Sequence, residues 1–246
     1  MSKTLQDFCT SEALVRTEEH LSPSGKHRLV IEAYKTGKGT WDMTKGSYFE
    51  VETGKLIAET YRNYHRYPFC WVEDHPQGDF ALCGENYMSQ TLVDLRAGKI
   101  LPSPLEAGFC WSSMKYHPTS QTVLVDGCYW ASSYETRLFD LTDIRGSWPE
   151  LLQPLQGTIE NIVFNEVDFD KFSFEYYRDV EPFLDELRWS NKPYEGEIPP
   201  EDKDKRSHLI GKAYYSRPSG GPWTFSRKEA HPIEEPFLKY YLGDEL

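Results

Sequence analysis

Apolar and polar positions alternate in short runs along the first part of the chain, and three of these runs align without gaps. They are PSGKHRLVIEAY (Pro23 to Tyr34), PQGDFALCGENY (Pro76 to Tyr87) and PTSQTVLVDGCY (Pro118 to Tyr129). Each opens on Pro, carries Leu six residues later (Leu29, Leu82, Leu124) and ends on Tyr. A turn-former followed by a short alternating run predicts a β-strand, because successive side chains of a strand point to opposite faces.

The flanks repeat as well. Phe69-Cys70-Trp71 returns as Phe109-Cys110-Trp111, and each leads into a His-Pro pair, His75-Pro76 and His117-Pro118. Downstream, YFEVETGKLI (Tyr48 to Ile57) corresponds to TLVDLRAGKI (Thr91 to Ile100), and TRLFDLTDI (Thr136 to Ile144) is a third copy without the glycine. The order within one unit is therefore strand, His-Pro turn, strand, loop, strand, Gly turn, strand. Four strands recurring every ~40–45 residues is the pattern of a β-propeller blade, which buries its faces only by stacking on neighbours.

Val93-Asp94-Leu95-Arg96-Ala97-Gly98-Lys99 and Phe139-Asp140-Leu141 resemble the third strand and following turn of the WD-repeat propeller family. Val93 and Phe139 stand where that family has Trp, and the Trp41-Asp42 pair is out of register. Cys83-Gly84-Glu85-Asn86-Tyr87 and Asp126-Gly127-Cys128-Tyr129-Trp130 resemble an uncharacterised bacterial propeller-like family. The resemblance spans about residues 20–148 and implies architecture, with scaffolding or binding as the usual role.

After Leu155 the repeat fades. Glu160 to Tyr177 predicts two strands, and Val180 to Trp189 a short helix with Phe183, Leu184 and Leu187 on one face. Asn191 to Arg206, rich in Pro and charge, predicts an exposed inserted loop. Ala213 to Thr224 echoes Ala33 to Asp42 and marks a divergent blade. The expectation is one all-β domain over residues 1–246, propeller-like, with about four or five antiparallel four-stranded blades, clear over 20–148 and divergent over 155–246. Two alternatives stand for the ring: the first twenty residues pair with the last blade and close it, or the propeller is open, incomplete or irregular.

Composition narrows function. A net charge of −12 opposes binding to nucleic acid or an anionic membrane, both of which reward clustered Lys and Arg. The N-terminus has no signal-like apolar run and no stretch reaches ~20 apolar residues, so a cytoplasmic location is the expectation. The five cysteines lack any C-x-x-C pair and read as reduced thiols, with Cys83 in a core column and Cys128 at the edge of a loop. No Cys or His pair has local zinc spacing, so neither a metal nor a cofactor is expected.

The acidic positions carry the functional expectation. Glu32 and Glu85 share a column of the repeat, Asp126 is one position away, and the adjoining loops supply Tyr87, Tyr129, Trp130, Tyr134 and Glu135. Blades place equivalent positions around one axis, so these residues form an acidic, aromatic rim suited to a protein or peptide partner, a basic one in particular. The rival expectation is a hydrolase-like enzyme holding a small ligand or metal ion at the channel mouth. No G-x-S-x-G, phosphate loop or dinucleotide fingerprint supports it.

Overall fold

The computed structural model describes residues 4–86, 89–102, 104, 108–130, 132, 135–151, 159–167, 170–178, 209–217 and 221–229. The fold is nearly all β. Its described helical content is a single short 3-10 turn, Leu5–Phe8. No helix among the described residues is long and apolar enough to cross a membrane.

Fifteen strands form four antiparallel sheets among the described residues. The first sheet runs β1 (Leu14–Leu21), β2 (His27–Tyr34), β3 (Met43–Glu50) and β4 (Leu56–Arg62). The second runs β5 (Phe69–His75), β6 (Gly78–Asn86), β7 (Ser89–Asp94) and β8 (Lys99–Pro102). The third contains β9 (Cys110–His117), β10 (Thr122–Cys128) and β11 (Glu135–Asp140), with β10 in the middle. The fourth runs β12 (Ile159–Val167), β13 (Lys171–Arg178), β14 (Leu209–Ser216) and β15 (Thr224–Glu229). The three aligned sequence runs are β2, β6 and β10, each second in its hairpin series. The strands expected within Glu160 to Tyr177 are β12 and β13. The helix expected at Val180 to Trp189, the loop of residues 191–206 and residues 230–246 lie outside the described residues.

One expectation is corrected. The N-terminal segment does not join the last sheet; β1 pairs antiparallel with β2, from Leu14 opposite Tyr34 to Leu21 opposite Arg28. β1 has no buried residue, so its sequence carried little pattern from which a partner could be read.

Two compact units are present. One holds β1 to β10 together with Leu138–Pro149, and the other holds β12 to β15. Within the first unit the second sheet is buried on both faces. Phe80, Leu82 and Leu92 face a cluster with Trp111, Val123, Val125 and Phe139 of the third sheet. Ala81, Cys83 and Val93 face the opposite way, onto Leu29, Ile31, Tyr48 and Ala58 of the first. Alternation along β6 thus sends adjacent side chains into two different cores, which is why this strand reads as a continuous apolar run.

The repeated Asp of each unit has a structural use. Asp94 Oδ1 accepts the backbone N–H groups of Arg96 and Ala97 at 3.2 and 2.8 Å. Asp140 Oδ1 does the same for Thr142 N–H at 2.8 Å and also accepts its hydroxyl at 2.6 Å. These carboxylates close the turn after the third strand of their units, satisfying donors that would otherwise be orphaned.

Candidate functional site

The hairpins of the first two sheets bring four turns to one end of the first unit: β1–β2, β3–β4, β5–β6 and β7–β8. Gly54 and Gly98 close two of them in the left-handed region, at φ 69° and 62°, where a side chain would be strained. The turns surround a cleft of about 770 Å³ whose walls carry Lys26, Lys55 and Arg96 beside Glu50, Glu52 and Asp79.

Two residues of the cleft wall, His27 and Asp79, come together with the buried Glu73 behind them, each offering a ligand atom within 4.8 Å of the others. His27 opens β2, while Glu73 and Asp79 stand on either side of the β5–β6 turn. The register of that hairpin shifts between Val72 and His75, and Asp74 within the shift has φ 59°. Such a bulge turns a side chain out of the regular alternation; here Glu73 is buried, and its neighbour Asp74 is exposed. Glu73 Oε2 accepts the Ser24 N–H at 2.8 Å, and Oε1 accepts the Ser24 hydroxyl at 2.6 Å. Burial pushes the Glu73 carboxyl up, but hydrogen bonds from Ser24 and Ser22, with a long, weak one from His27, outweigh it and hold the group below its ordinary value. His27 Nδ1 lies 3.5 Å from Glu73 Oε1, and Lys26 Nζ lies 3.8 Å from Asp79 Oδ2.

Of the rim residues expected from sequence, Glu32 lies toward the end of β2 away from the cleft. Glu32 is tied to Lys45 on the neighbouring strand at 3.5 Å, and Lys45 also holds Glu59 at 2.8 Å. Burial works against the Lys45 ammonium, yet Glu59 and Glu32 outweigh it and raise its pKa. Burial, with Glu32 beside it, pushes the Tyr34 phenol up to about 12. Asp126 accepts the Ser113 hydroxyl at 2.7 Å in the third sheet. Tyr129 packs edge-on against Phe109, while Trp130 is 67% exposed. Tyr87 and Tyr134 lie outside the described residues, and so do the side chains of Glu85 and Glu135. Cys128, expected at a loop edge, is buried and stands opposite Cys110 in the β9–β10 pair.

The two His-Pro turns are structural. His75 Nε2 donates to the Leu141 carbonyl at 2.9 Å while Nδ1 accepts the Gln77 N–H at 3.1 Å. His117 Nδ1 is 3.2 Å from the Ser120 hydroxyl, a nucleophile–base distance, but Ser120 is fully buried and also contacts Thr122 at 2.7 Å. A substrate has no approach to that oxygen, so the pair serves the turn.

Sequence reasoning missed the His27–Glu73–Asp79 set because its members share no local spacing; His27 and Glu73 are 46 residues apart. One signal was available. In the repeat His27 occupies the column of Phe80 and Thr122, both fully buried, so a titratable ring stands at an interior position.

No family model matches the chain. An uncharacterized protein of Acanthamoeba polyphaga mimivirus is 32% identical over 151 residues, which is 60% of each chain. The chain thus spans less than two thirds of that relative's length. Among solved structures, hydrazine synthase of Kuenenia stuttgartiensis shares 9% identity at TM-score 0.37, covering 86% of this chain and 54% of that one. The tricorn protease shares 14% at TM-score 0.37, covering 94% and 24%. The AtxE2 isopeptidase shares 10% at TM-score 0.32, covering 92% and 31%. Likenesses at this level bear on neither fold family nor activity.

Proposed function

We propose that this chain is a binding module whose sheets are the blades of a propeller-like fold, and that its working surface is the turn-lined cleft of the first two sheets. The observation that carries the reading is the cleft itself. It measures about 770 Å³, draws its walls from four turns of two sheets, and alternates cations with carboxylates. Packed strands hold the turns in fixed positions, the usual arrangement for recognition. Its partner is a protein or peptide segment that presents both signs of charge.

A second surface has its own support. Trp130 and Tyr129 are 67% and 45% exposed in one loop, and rings of this size are uncommon on bare surface. With Glu32 and Asp126, and with Glu85, Tyr87, Tyr134 and Glu135 on the strength of the sequence repeat alone, they are proposed as an accessory contact for a basic segment.

The test is native mass spectrometry of the protein isolated gently from its own cells, wild type against Ala97→Trp, whose ring fills the cleft. The expected result is additional mass on the wild type that the variant loses. A bare wild-type chain, or a mass that survives the substitution, overturns the cleft reading. Loss in Trp130→Ala instead moves the binding surface to the rim.

A further inference from the structure

We propose that His27, Glu73 and Asp79 are the ligand set of a divalent transition-metal ion at the cleft wall, one imidazole nitrogen and two carboxylate oxygens with the remaining coordination facing the cleft. The inference rests on the reading of the cleft as the working surface and names the first thing that it holds.

Geometry distinguishes this from an ordinary ion pair. A charge-assisted N–H···O bond closes to about 2.7–2.9 Å. His27 Nδ1 and Glu73 Oε1 stand at 3.5 Å instead, although both are buried and nothing exposed has to be ordered to bring them closer. Two ligands bound to one ion at about 2.0–2.1 Å in tetrahedral geometry lie roughly 3.3 Å apart. The separation is therefore too long for a good hydrogen bond and close to that of two donors straddling an ion. Asp79 lies within 4.8 Å of both and lines the cleft, as does His27, so a rotation of the half-buried Asp79 carboxylate completes the set.

The surroundings suit the assignment. Ser24 fixes both oxygens of Glu73 through its N–H and hydroxyl, as outer-shell donors fix a ligating carboxylate, and leaves lone pairs for an ion. Two carboxylates balance a double positive charge where burial makes imbalance costly. An imidazole among the donors favours zinc-like ions over calcium or magnesium, which take oxygen almost exclusively. Lys26, 3.8 Å from Asp79 and largely exposed, swings into solvent when the ion enters. Three protein donors with a free position is also the arrangement that lets a metal grip a partner's carboxylate or imidazole.

The experiment uses the full chain, stripped with a chelator and titrated calorimetrically with Zn²⁺, then with Co²⁺ as an optical probe. One Zn²⁺ per chain is expected, with Co²⁺ giving visible bands of low-coordinate nitrogen–oxygen ligation. Asp79→Asn and Glu73→Gln should each weaken Zn²⁺ by more than the roughly 10–100-fold that outer-shell changes cost. His65→Ala, on an exposed loop residue, should leave it unchanged. Glu73→Gln also disturbs the Ser24 contacts, so Asp79→Asn, at a half-buried position, is the deciding variant if the first one unfolds. Absence of saturable binding, or affinity unchanged in Asp79→Asn, overturns the site. If zinc fails to bind while Ala97→Trp still removes a bound mass, the metal site falls and the cleft reading stands.

Discussion

His117 and Arg62 show what single side chains cost in this interior. Burial, with Lys115 nearby, lowers the His117 pKa below its ordinary value. The folded protein therefore keeps the ring neutral while the unfolded chain takes a proton near pH 6.5. The stabilisation is complete above about pH 6.5 and is lost as pH falls through and below it. Urea midpoints measured from pH 7.5 to 5.5 should fall with pH, and His117→Gln should flatten that slope. Arg62 is 2% exposed, and its guanidinium meets the Cys110 sulfur at 3.7 Å and the Tyr64 ring at 5.9 Å, with no carboxylate in reach among the described residues. Its Nε has no hydrogen-bond partner among them, and burial lowers its pKa. Replacing even a buried ion pair by apolar groups of similar volume is often neutral or stabilising by about 1–4 kcal/mol, and a buried ion without a counter-charge has less attraction to lose. Arg62→Met should accordingly raise the urea midpoint; a fall would mean that the charge is satisfied by a group outside the described residues.

At the scale of elements, hairpins were the most legible part of the sequence. β2, β6 and β10 announce themselves because a turn-former, an apolar alternation and a closing Tyr recur in step. β1 did not, since an edge strand without buried positions leaves no alternation to read. The metal-ligand set escaped for a different reason: it exists only where the β1–β2 turn meets the β5–β6 hairpin, a juxtaposition created by sheet packing. Bulges were equally hidden. Register shifts between Asp126 and Gly127, where β10 passes close to β9. A Cβ at Gly127 would collide with the Cys110 carbonyl and the Phe109 ring, and a backbone oxygen cannot swing aside. Gly127→Ala should cost about 2 kcal/mol or more, in the range of overpacked cores, read as a lower urea midpoint with an unchanged m-value. Gly54→Ala, with open space around its Cβ, meets only the strain of a left-handed backbone and should cost about 1 kcal/mol.

For the whole molecule, the two cores of the first unit draw on no described side chain beyond Trp148. Within the same unit the Asp140 N–H donates to the Pro149 carbonyl at 2.9 Å. A chain ending at Pro149 should therefore keep a β-type circular dichroism spectrum and unfold in one cooperative transition. Failure of that fragment to fold would show that the first unit depends on residues after Pro149.

The outer position of β1 has a consequence for how the protein behaves in a crowded solution. It borders its sheet with Leu14, Val15 and Leu21 facing solvent, and so presents a template on which a second chain can polymerise. Interleaved among those residues are Arg16 linked to Glu18 at 2.9 Å and Glu19 linked to Arg28 at 3.2 Å. In energetic terms such surface pairs count for little. Their value is as a fence: any strand docking there must first strip water from four charges, so colloidal stability in this protein is guarded by a handful of residues that its folding does not need.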